Sequence, residues 1–336
     1  MEQLRIASLF AGCGGTDVGV CGGFEFCGRK YARLQTRLVY ANDFEPSACD
    51  LFDANFPIKV DRGDIRRVST GVVPAYDFLT AGFPCQSFSI IAQNPPRLGI
   101  KDEDKGALFE EVCRFLKAHQ PKGFLCENVK GILSANRGTA FPIIMRSLRE
   151  CGYHVMHMLL NARNYGIPQR RERVFVVGFR DVELMDAYRP PMPTSENTVL
   201  GDVVMTEETV PSKYYFSDKA VAGMRASKPE MNKGRIQSLD EPCNTVGAHL
   251  CKVSLNGTDP VLCIGGRYRR FMPVEVSRIQ SFPDSYKLVG TEHSQYKALG
   301  NAIPPVLAWH VMKSICDAFE RNRKRKRIIS PRELPR

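Results

Sequence analysis

The sequence lacks the features of membrane and exported proteins. Its 336 residues contain no apolar run of about 18 residues or more, so no segment is long enough to cross a bilayer as a helix. Residues 1–6 show no basic stretch followed by an apolar one, as an export signal would. We therefore expect a cytoplasmic protein that does not associate with membranes.

Cysteine is plentiful, but the spacing typical of metal sites is missing. The 12 cysteines are scattered between Cys13 and Cys316, and no two of them form a C-x-x-C pair. Structural zinc sites usually draw their ligands from such pairs, and a reducing compartment disfavours disulfides. The pattern predicts no metal site and indicates that most of these cysteines are small buried residues.

Two common nucleotide-binding signatures are absent as well. The sequence contains neither G-x-x-x-x-G-K-[ST] nor G-x-G-x-x-G, which argues against a P-loop enzyme and a dehydrogenase. One glycine-rich loop, AGCGG at residues 11–15, follows a short apolar run, and Asp43 follows a second one. This arrangement suits a cofactor that carries adenosine, although a plain tight turn is the alternative.

Positive charge is concentrated at one end of the chain. Residues 321–336 hold eight lysines and arginines against the single acid Glu333, a net +7 of the total +11, which leaves +4 for the other 320 residues. The composition therefore indicates a basic tail rather than a uniformly basic surface. A solvated terminus and a segment that contacts phosphates both remain open.

Residues 1–180 show alternating strand and helix signals. Apolar runs at residues 5–10, 37–41, 76–81, 123–126 and 173–179 predict strands, and residues 46–55 and 106–119 have helical spacing. This alternation predicts an α/β fold with a mostly parallel sheet and helices on both faces. Ligands bind such sheets at the carboxyl ends of the strands, where the glycine loop, Asp43, Cys85 and Glu127 fall.

The pattern changes near residue 180. Residues 181–270 are irregular and rich in proline at their start, whereas residues 273–282 and 305–319 again have helical spacing. We predict a catalytic and cofactor-binding domain at 1–180, a smaller irregular domain at 181–270, a return to the first domain at 271–320 and a basic tail at 321–336.

Cys85 is the cysteine whose context differs from that of the others. It follows a predicted strand and Pro84, and polar loop residues come directly after it. A buried structural cysteine is the alternative, and we accept it for most of the other cysteines. For Cys85 the context favours a nucleophile.

Eight short motifs, in this order, resemble those of the DNA cytosine-5 methyltransferases. They are LFAGCGG at 9–15, NDF at 42–44, GDI at 63–65, PCQ at 84–86, ENV at 127–129, QRRER at 169–173, RIQSFP at 278–283 and GNAIPP at 300–305. The resemblance covers nearly the whole chain. It implies a Rossmann-like, S-adenosylmethionine-dependent methyltransferase fold with a smaller target-recognition domain at residues 181–270.

The resemblance also implies the reaction, which transfers a methyl group from S-adenosylmethionine to carbon 5 of cytosine. Cytosine C5 is a poor nucleophile until a thiolate adds at C6, and the matching residue is Cys85. Glu127 then holds a proton at N3 and accepts from the exocyclic amine. Arg171 and Arg173 hold O2 and the nearby backbone.

The cofactor residues implied by the family motifs surround the predicted strand ends. Asp43 accepts from the ribose hydroxyls and Asp64 from the adenine amine, although either aspartate alternatively caps a helix. For Phe44, Ile65 and Leu108, plain core packing is the equal alternative. The full set is Phe10, Ala11, Gly12, Gly14, Gly15, Asp43, Phe44, Asp64, Ile65, Pro84, Leu108 and Asn301.

A cytosine inside double-stranded DNA must be flipped out to reach these groups. The loop at 86–105 is long enough to close over DNA, with Gln86, Ser87 and Ser89 as its first contacts. Candidate contacts in the recognition domain are Lys233, Arg235, Gln237, Asn244, Thr245, His249 and Lys252, with Arg235 and Gln237 as our choice; for each single residue, an ordinary surface group is the favoured alternative. We expect a monomer of the restriction-modification type; a cognate restriction endonuclease acting as a separate partner and an enzyme acting alone both remain open.

Two other functions compete with this interpretation. An RNA cytosine methyltransferase would use the same chemistry, but the short motifs of that branch are missing and the recognition region is too large for it. A catalytically inactive, cofactor-dependent DNA-binding protein would not need Cys85, Glu127 and Arg173 together. The sequence also departs from the family in a longer stretch at 21–40 and in FMPVE at 271–275, where a T-P-R-E run is usual.

Overall fold

The computed structural model describes residues 3–84, 107–226, 235–252 and 259–329. The strands are β1 (Leu4–Leu9), β2 (Phe24–Phe26), β3 (Arg29–Tyr31), β4 (Thr36–Asp43), β5 (Asp61–Arg62), β6 (Phe78–Ala81), β7 (Gly123–Val129), β8 (His154–Asn161), β9 (Gln169–Arg170), β10 (Glu172–Phe179), β11 (Cys243–Asn244), β12 (Leu262–Ile264) and β13 (Arg267–Arg269). The helices are α1 (Gly15–Cys21), α2 (Pro46–Asn55), α3 (Ala107–His119), α4 (Ala140–Glu150), α5 (Val182–Ala187), α6 (Asp218–Ala226), α7 (Pro273–Ile279), α8 (Glu292–Asn301) and α9 (Pro305–Ile329).

A seven-stranded sheet in the order β5-β4-β1-β6-β7-β10-β8 forms the centre of the fold. The pairings from β5 to β7 are parallel, and β10 runs antiparallel to both of its neighbours. The predicted α/β architecture with a mostly parallel sheet is therefore confirmed. The carboxyl ends of β1, β4, β6 and β7 lie at the same edge of the sheet, because parallel strands share one direction.

Hydrophobic cores lie on both faces of the sheet. One joins α1, α2 and α9 to the sheet, and the other joins α3 and α4 to it. The first core requires a very close approach of α1 to α9, since a Cβ on Gly19 would lie 2.4 Å from the carbonyl oxygen of Pro305. A larger residue at this position would push the two helices apart.

The longer stretch at 21–40 forms a β-hairpin that packs on α9. β2 pairs with β3, and the rings of Phe24 and Tyr31 stack with 5.0 Å between their centroids. Trp309 on α9 packs edge-on against Tyr31 and donates its indole N–H to the Ala32 carbonyl oxygen at 2.9 Å. The extra residues thus extend the first core.

Residues 181–270 contain short elements, in line with the irregular pattern of this stretch, and a buried ion pair anchors its end. The Arg269 guanidinium bonds both oxygens of the Glu275 carboxylate at 2.8 Å, and both side chains are fully buried. Glu275 also accepts the backbone N–H groups of Met205 and Met272. The glutamate of FMPVE therefore keeps a full set of partners despite the changed residues around it. The division into domains stays a prediction.

Arg171 joins the sheet to two distant segments. It lies between β9 and β10 and is 1% exposed. Its terminal nitrogens donate to the carbonyl oxygens of Val246 at 3.1 Å and of Gly300 and Ala302 at 2.9 Å each. A single guanidinium thereby fixes the irregular region and the end of α8 against the sheet.

α9 continues beyond the predicted boundary at residue 320. The helix ends at Ile329, and Lys326 pairs with Asp181 and Glu183 at 3.0 Å each. At least the first part of the predicted basic tail is therefore helical and rests beside the start of α5. None of the described helices is both long and apolar enough to span a membrane.

A buried carboxyl group lies in α1, directly after the glycine-rich loop. Asp17 is 0% exposed, and neither of its oxygens has a hydrogen-bond partner in good geometry within the described part of the chain. Burial raises the pKa of Asp17 to about 7, and the nearby Ser8 side chain lowers it by less. The folded protein therefore holds this proton more tightly than the unfolded chain does.

Replacing Asp17 by Asn should stabilise the protein at alkaline pH. An unfolded carboxyl ionises near pH 4, so the wild-type free energy of unfolding falls as pH rises from about 4 to about 7, by up to about 4 kcal/mol. Urea denaturation across this pH range should show the advantage of Asp17→Asn growing with pH. Asp77 is the opposite control, because bonds from Arg5 and Lys122 outweigh its burial and hold its pKa at about 2. Asp77→Asn should lower the free energy of unfolding most at neutral pH. A difference between Asp17→Asn and the wild type that does not change with pH would contradict the argument.

Replacing Arg171 by Lys should destabilise the fold far more than the same change at Arg170. The single nitrogen of a lysine ammonium cannot span the positions that the two terminal nitrogens of the guanidinium occupy, so we expect a loss of about 3 kcal/mol or more from the free energy of unfolding. Arg170 is partly exposed and pairs with the exposed Glu241, so Arg170→Lys should cost less than about 1 kcal/mol. Chemical denaturation of both variants tests this, and equal costs would refute the role of Arg171 as a joint.

Candidate active site

A cleft of about 630 Å3 opens at the carboxyl edge of the parallel strands. The ends of β1, β4, β6 and β7 contribute to its walls, and the end of α8 with the segment after it closes the opposite side. The predicted site residues that line it are Phe10, Ala11, Gly12, Gly15, Asp43, Phe44, Pro84, Glu127, Arg171, Arg173 and Asn301. The fold thus brings together residues from six separate motifs.

The glycine-rich loop turns sharply after β1. Phe10, Gly12 and Gly14 have φ values of 55°, 57° and 82°, in the left-handed region that favours glycine. A Cβ on Gly14 would lie 2.2 Å from the ring of Phe56, whereas a Cβ on Gly12 would meet nothing within 4 Å. Gly14 is therefore required for packing, and the open side of Gly12 leaves room for a ligand.

Asp43 is tied to this loop. Its two carboxylate oxygens accept the backbone N–H groups of Gly12 at 2.7 Å and Glu45 at 2.8 Å. Burial raises the pKa of Asp43, and these backbone bonds counter the rise. Each oxygen keeps a further lone pair for a ligand hydroxyl. Phe44 beside it is 65% exposed, which leaves an aromatic face free at the rim.

Four predicted cofactor residues do not line the cleft among the described residues. Gly14 supports the loop from behind, and Ile65 and Leu108 pack in the core formed with α3 and α4. Asp64 caps a short turn by accepting from the Arg66 backbone, and its carboxylate pairs with the Arg66 guanidinium. These contacts match the capping alternative for Asp64 and the core-packing alternative for Ile65 and Leu108, and their roles at the cofactor stay predictions.

Glu127 and Arg173 form an ion pair at the end of the sheet. They lie on adjacent antiparallel strands, and Arg173 Nε is 3.0 Å from Glu127 Oε1. Burial raises the pKa of Glu127, and the charges of Arg173 and Arg171 lower it by less. A carboxyl group in this setting holds its proton at a higher pH than an exposed one does.

The segment before Cys85 is held from β7. Asn128 donates its side-chain N–H to the Phe83 carbonyl oxygen at 2.9 Å, and its amide oxygen accepts the Val129 N–H at 2.9 Å. The chain therefore approaches position 85 along a fixed path beside Glu127. Cys85 itself lies outside the described residues, and so do Gln86, Ser87 and Ser89.

The structure gives Arg171 a different role from the predicted one. Its terminal nitrogens donate to the carbonyl oxygens of Val246, Gly300 and Ala302, whereas its buried Nε–H has no hydrogen-bond partner within the described residues. The neighbouring Gln169 works in the same way, because its amide bonds the Gln280 side chain at 2.9 Å and accepts the Val246 N–H at 3.1 Å. Arg171 is thus a structural support beneath the site.

The placement of Arg235 and Gln237 is at odds with their prediction as DNA contacts. They are 3% and 7% exposed, respectively. Arg235 donates to the Asp259 carbonyl oxygen at 3.1 Å, and Gln237 accepts the Asn244 N–H at 2.7 Å. These side chains hold the recognition segment together from inside. The neighbouring Asn244, Thr245 and His249 are exposed instead.

Sequence reasoning missed two charged residues of the cleft wall. Glu45 and Lys297 both line the cleft and form an ion pair. Lys297 lies one helical turn before Asn301, a spacing that would have identified it if α8 had been predicted. Within the described ranges, no group of three or more His, Cys, Asp or Glu side chains is placed to bind a metal.

Comparison with known proteins identifies close counterparts of the whole chain. Residues 4–317 match the family model described as C-5 cytosine-specific DNA methylase. The chain is 30% identical over 332 residues to the type II methyltransferase M1.ScrFI of Lactococcus lactis subsp. cremoris, which covers 96% of this chain and 80% of that protein. It is 31% identical over 364 residues to M.FnuDI of Fusobacterium nucleatum, with 98% and 99% covered.

A solved structure shares the fold. The Entamoeba histolytica methyltransferase EhMeth superposes with a TM-score of 0.71 at 15% sequence identity, covering 95% of this chain and 99% of that one. With a family model that matches nearly the full length, the chain belongs to the C-5 cytosine-specific DNA methylases.

Proposed function

We propose that this DNA cytosine-5 methyltransferase methylates a flipped-out cytosine by covalent catalysis, with Cys85 as the nucleophile and S-adenosylmethionine as the methyl donor. The observation that carries the proposal is the Glu127–Arg173 ion pair in the same cleft as the glycine loop and Asp43. A polar pair at one side and an adenosine-sized space at the other match the two substrates of this reaction.

Cys85 supplies the step that activates the ring. Its thiolate adds to C6 of cytosine, and C5 then becomes nucleophilic enough to take the methyl group. The Asn128 side chain supports this role because it fixes the Phe83 carbonyl, two residues before Cys85. After methylation a base removes the C5 proton, the C5–C6 double bond re-forms and the thiolate leaves.

Glu127 and Arg173 stabilise the charge that develops on the ring. In the reacting form Glu127 is protonated, so that its contact with Arg173 is a hydrogen bond to a neutral carboxyl group; Glu127 donates at N3 as electron density moves there, and its raised pKa favours this form. Arg173, which is paired with Glu127, is near enough to donate to O2 of the same base. Arg171 does not touch the base in this proposal and keeps the surrounding segments in position.

The described residues of the cleft fit S-adenosylmethionine, which supplies an activated methyl group on a cationic sulfur. Asp43 has lone pairs left for the ribose hydroxyls, and the exposed ring of Phe44 offers a face for the adenine. Gly12 leaves open space at the loop. Phe10, Ala11, Gly15, Pro84 and Asn301 complete the wall around the cofactor.

Double-stranded DNA is the substrate in this proposal, bound over the carboxyl edge of the sheet. The exposed Asn244, Thr245 and His249 flank the segment that packs on Gly300, beside the cleft, and are the recognition residues to test. Relatives named type II methyltransferases support a role in a restriction-modification system with a separate endonuclease. We further propose that the enzyme acts in the cytoplasm as a monomer.

The reaction and its nucleophile can be tested together by mapping methylated cytosines. The protein is incubated with unmethylated genomic DNA and S-adenosylmethionine, and bisulfite sequencing then locates protected cytosines. We expect protection in one short sequence context, and none with Cys85→Ser, because a hydroxyl does not add to C6 at a useful rate.

The exposed Cys27, at the tip of the β2–β3 hairpin, provides the matched control. Cys27→Ser should leave the methylation pattern unchanged. Methylation by Cys85→Ser would exclude Cys85 as the nucleophile. If the wild-type protein binds DNA and S-adenosylmethionine but methylates only RNA, the protein is an RNA cytosine methyltransferase instead.

Glu127 should control the alkaline limb of the pH profile. Ionisation of Glu127 removes the proton that it donates at N3, so the methylation rate of the wild type should fall as pH rises through its raised pKa. Glu127→Gln cannot ionise, and we expect a rate reduced by about 100-fold or more without that alkaline fall. Single-turnover rates across a pH series test this. If the rate of Glu127→Gln still falls at alkaline pH, the ionisation of another group causes that fall.

A further inference from the structure

The two walls of the cleft come from distant parts of the chain, and an ion pair joins them beside the apolar packing of α2 and α8 in one core. One wall contains Asp43 and Glu45, just before α2, and the other contains Lys297 and Asn301 on α8. Lys297 Nζ lies 2.6 Å from Glu45 Oε2, across 252 residues of sequence. The hydrogen bond from Lys297 lowers the pKa of Glu45, so the carboxylate is ionised at neutral pH.

On its own side, Glu45 is bound to the proposed ribose site. Its backbone N–H donates to Asp43 Oδ1 at 2.8 Å, and Asp43 Oδ2 accepts the Gly12 N–H at 2.7 Å. The Ser47 hydroxyl donates to Glu45 Oε1 at 3.2 Å, which orients the carboxylate. A displacement of Glu45 therefore moves Asp43 and the exposed Phe44 between them.

On the other side, Lys297 shares a face of α8 with Asn301. The two residues are four positions apart on the same helix and both line the cleft. Asn301 is followed by Ala302, whose carbonyl oxygen is held by Arg171. Through this bond the end of α8 is fixed against the sheet, and Lys297 lies one turn earlier on the same helix.

The two ends of α2 are attached differently. At its C-terminal end, Asn55 makes two bonds with the Lys287 backbone, at 2.9 Å to the carbonyl oxygen and 2.7 Å from the N–H. At its N-terminal end, the polar contact with α8 is an ion pair between two partly exposed side chains, which adds to the apolar packing of the two helices. The polar contact at the end beside the cleft is therefore an ion pair, which added salt or substitution of either residue weakens.

We propose that the Glu45–Lys297 ion pair is a clasp that holds the two walls of the cleft at the separation that S-adenosylmethionine requires. Lys297 and Glu45 are then positioning residues, which act on the cofactor through Asp43 and Phe44 without touching it. The proposal rests on the proposed use of this cleft for the cofactor.

Two other roles for Lys297 predict different behaviour. If Lys297 bound the cofactor's carboxylate directly, its loss would weaken binding, whereas loss of Glu45 would free the ammonium and would not. If the pair acted through net charge, loss of Lys297 would favour the cationic S-adenosylmethionine over S-adenosylhomocysteine, which lacks the sulfonium charge. A clasp affects both ligands equally and needs both of its residues.

The test measures the Kd of both ligands by calorimetry with the full chain. We expect Lys297→Met and Glu45→Gln each to weaken both ligands by about two- to fivefold, the range for a partly exposed ion pair. The double variant should be no weaker than either single one, because the same contact is lost once. The charge-swapped Glu45→Lys/Lys297→Glu protein should regain most of the affinity, and kcat at saturating cofactor should stay unchanged.

The Lys313–Asp317 pair on α9 provides a matched control. Its N–O distance is also 2.6 Å, and its side chains are 44% and 33% exposed, against 42% and 32% for Lys297 and Glu45. Lys313→Met should leave both Kd values at the wild-type level. Raising the salt concentration should narrow the gap between the wild type and Lys297→Met, since screening weakens the wild-type pair.

Three outcomes overturn the clasp: wild-type affinity in Glu45→Gln, unequal effects on the two ligands, or additive losses in the double variant. Thermal unfolding of each variant separates lost affinity from lost folding, and the charge-swapped protein tests the pair even if a single variant is unstable. Wild-type protein that binds neither ligand would instead refute the proposed cofactor, and the clasp with it.

Discussion

The fold depends on the burial of one charged group, the guanidinium of Arg171, among backbone carbonyls. Burial lowers its pKa, and the charge of Arg173 adds to this effect. The cost of desolvation is offset by three hydrogen bonds, to Val246, Gly300 and Ala302. A Cβ on Gly300 would lie 2.3 Å from the Gly247 backbone, so the segments that meet around Arg171 pack without room for a side chain. Sheet, recognition region and C-terminal helices are assembled around this point.

The chemistry of the site follows from the direction of the strands. Parallel strands bring the glycine loop, Asp43, the Phe83 segment and Glu127 to one edge of the sheet, and the reversed strand β10 adds Arg173 beside Glu127. Both carboxyl groups at this edge are buried, and burial raises the pKa of Asp43 and of Glu127. The groups that oppose this rise differ: backbone N–H groups lower the pKa of Asp43, and the charges of Arg173 and Arg171 lower that of Glu127. One carboxyl group is thereby suited to hydroxyls and the other to holding a proton.

Local patterns in the sequence predicted the parts of the structure that local physics decides. The helix at Pro46–Asn55 and the strands that end at Asp43 and Ala81 follow from periodicity and from the residues that bound them. The partners of Arg171 and Lys297 were not predictable in this way, since they lie up to 131 and 252 residues away. Arg235 and Gln237 were mistaken for surface groups because an irregular segment has no period that separates its inside from its outside.

The segment around Val246 and the Glu127–Arg173 pair are held from a single stretch of backbone. Arg171 and Arg173 are two residues apart at the start of β10; the first holds the Val246 carbonyl of the recognition region, and the second pairs with Glu127. Both charges also lower the pKa of Glu127. A movement of the recognition segment that pulled Arg171 away would therefore weaken the field at Glu127 and shift the neighbouring Arg173. The contact that supports the fold thus places the Val246 segment and the Glu127 carboxyl group on the same pair of arginines.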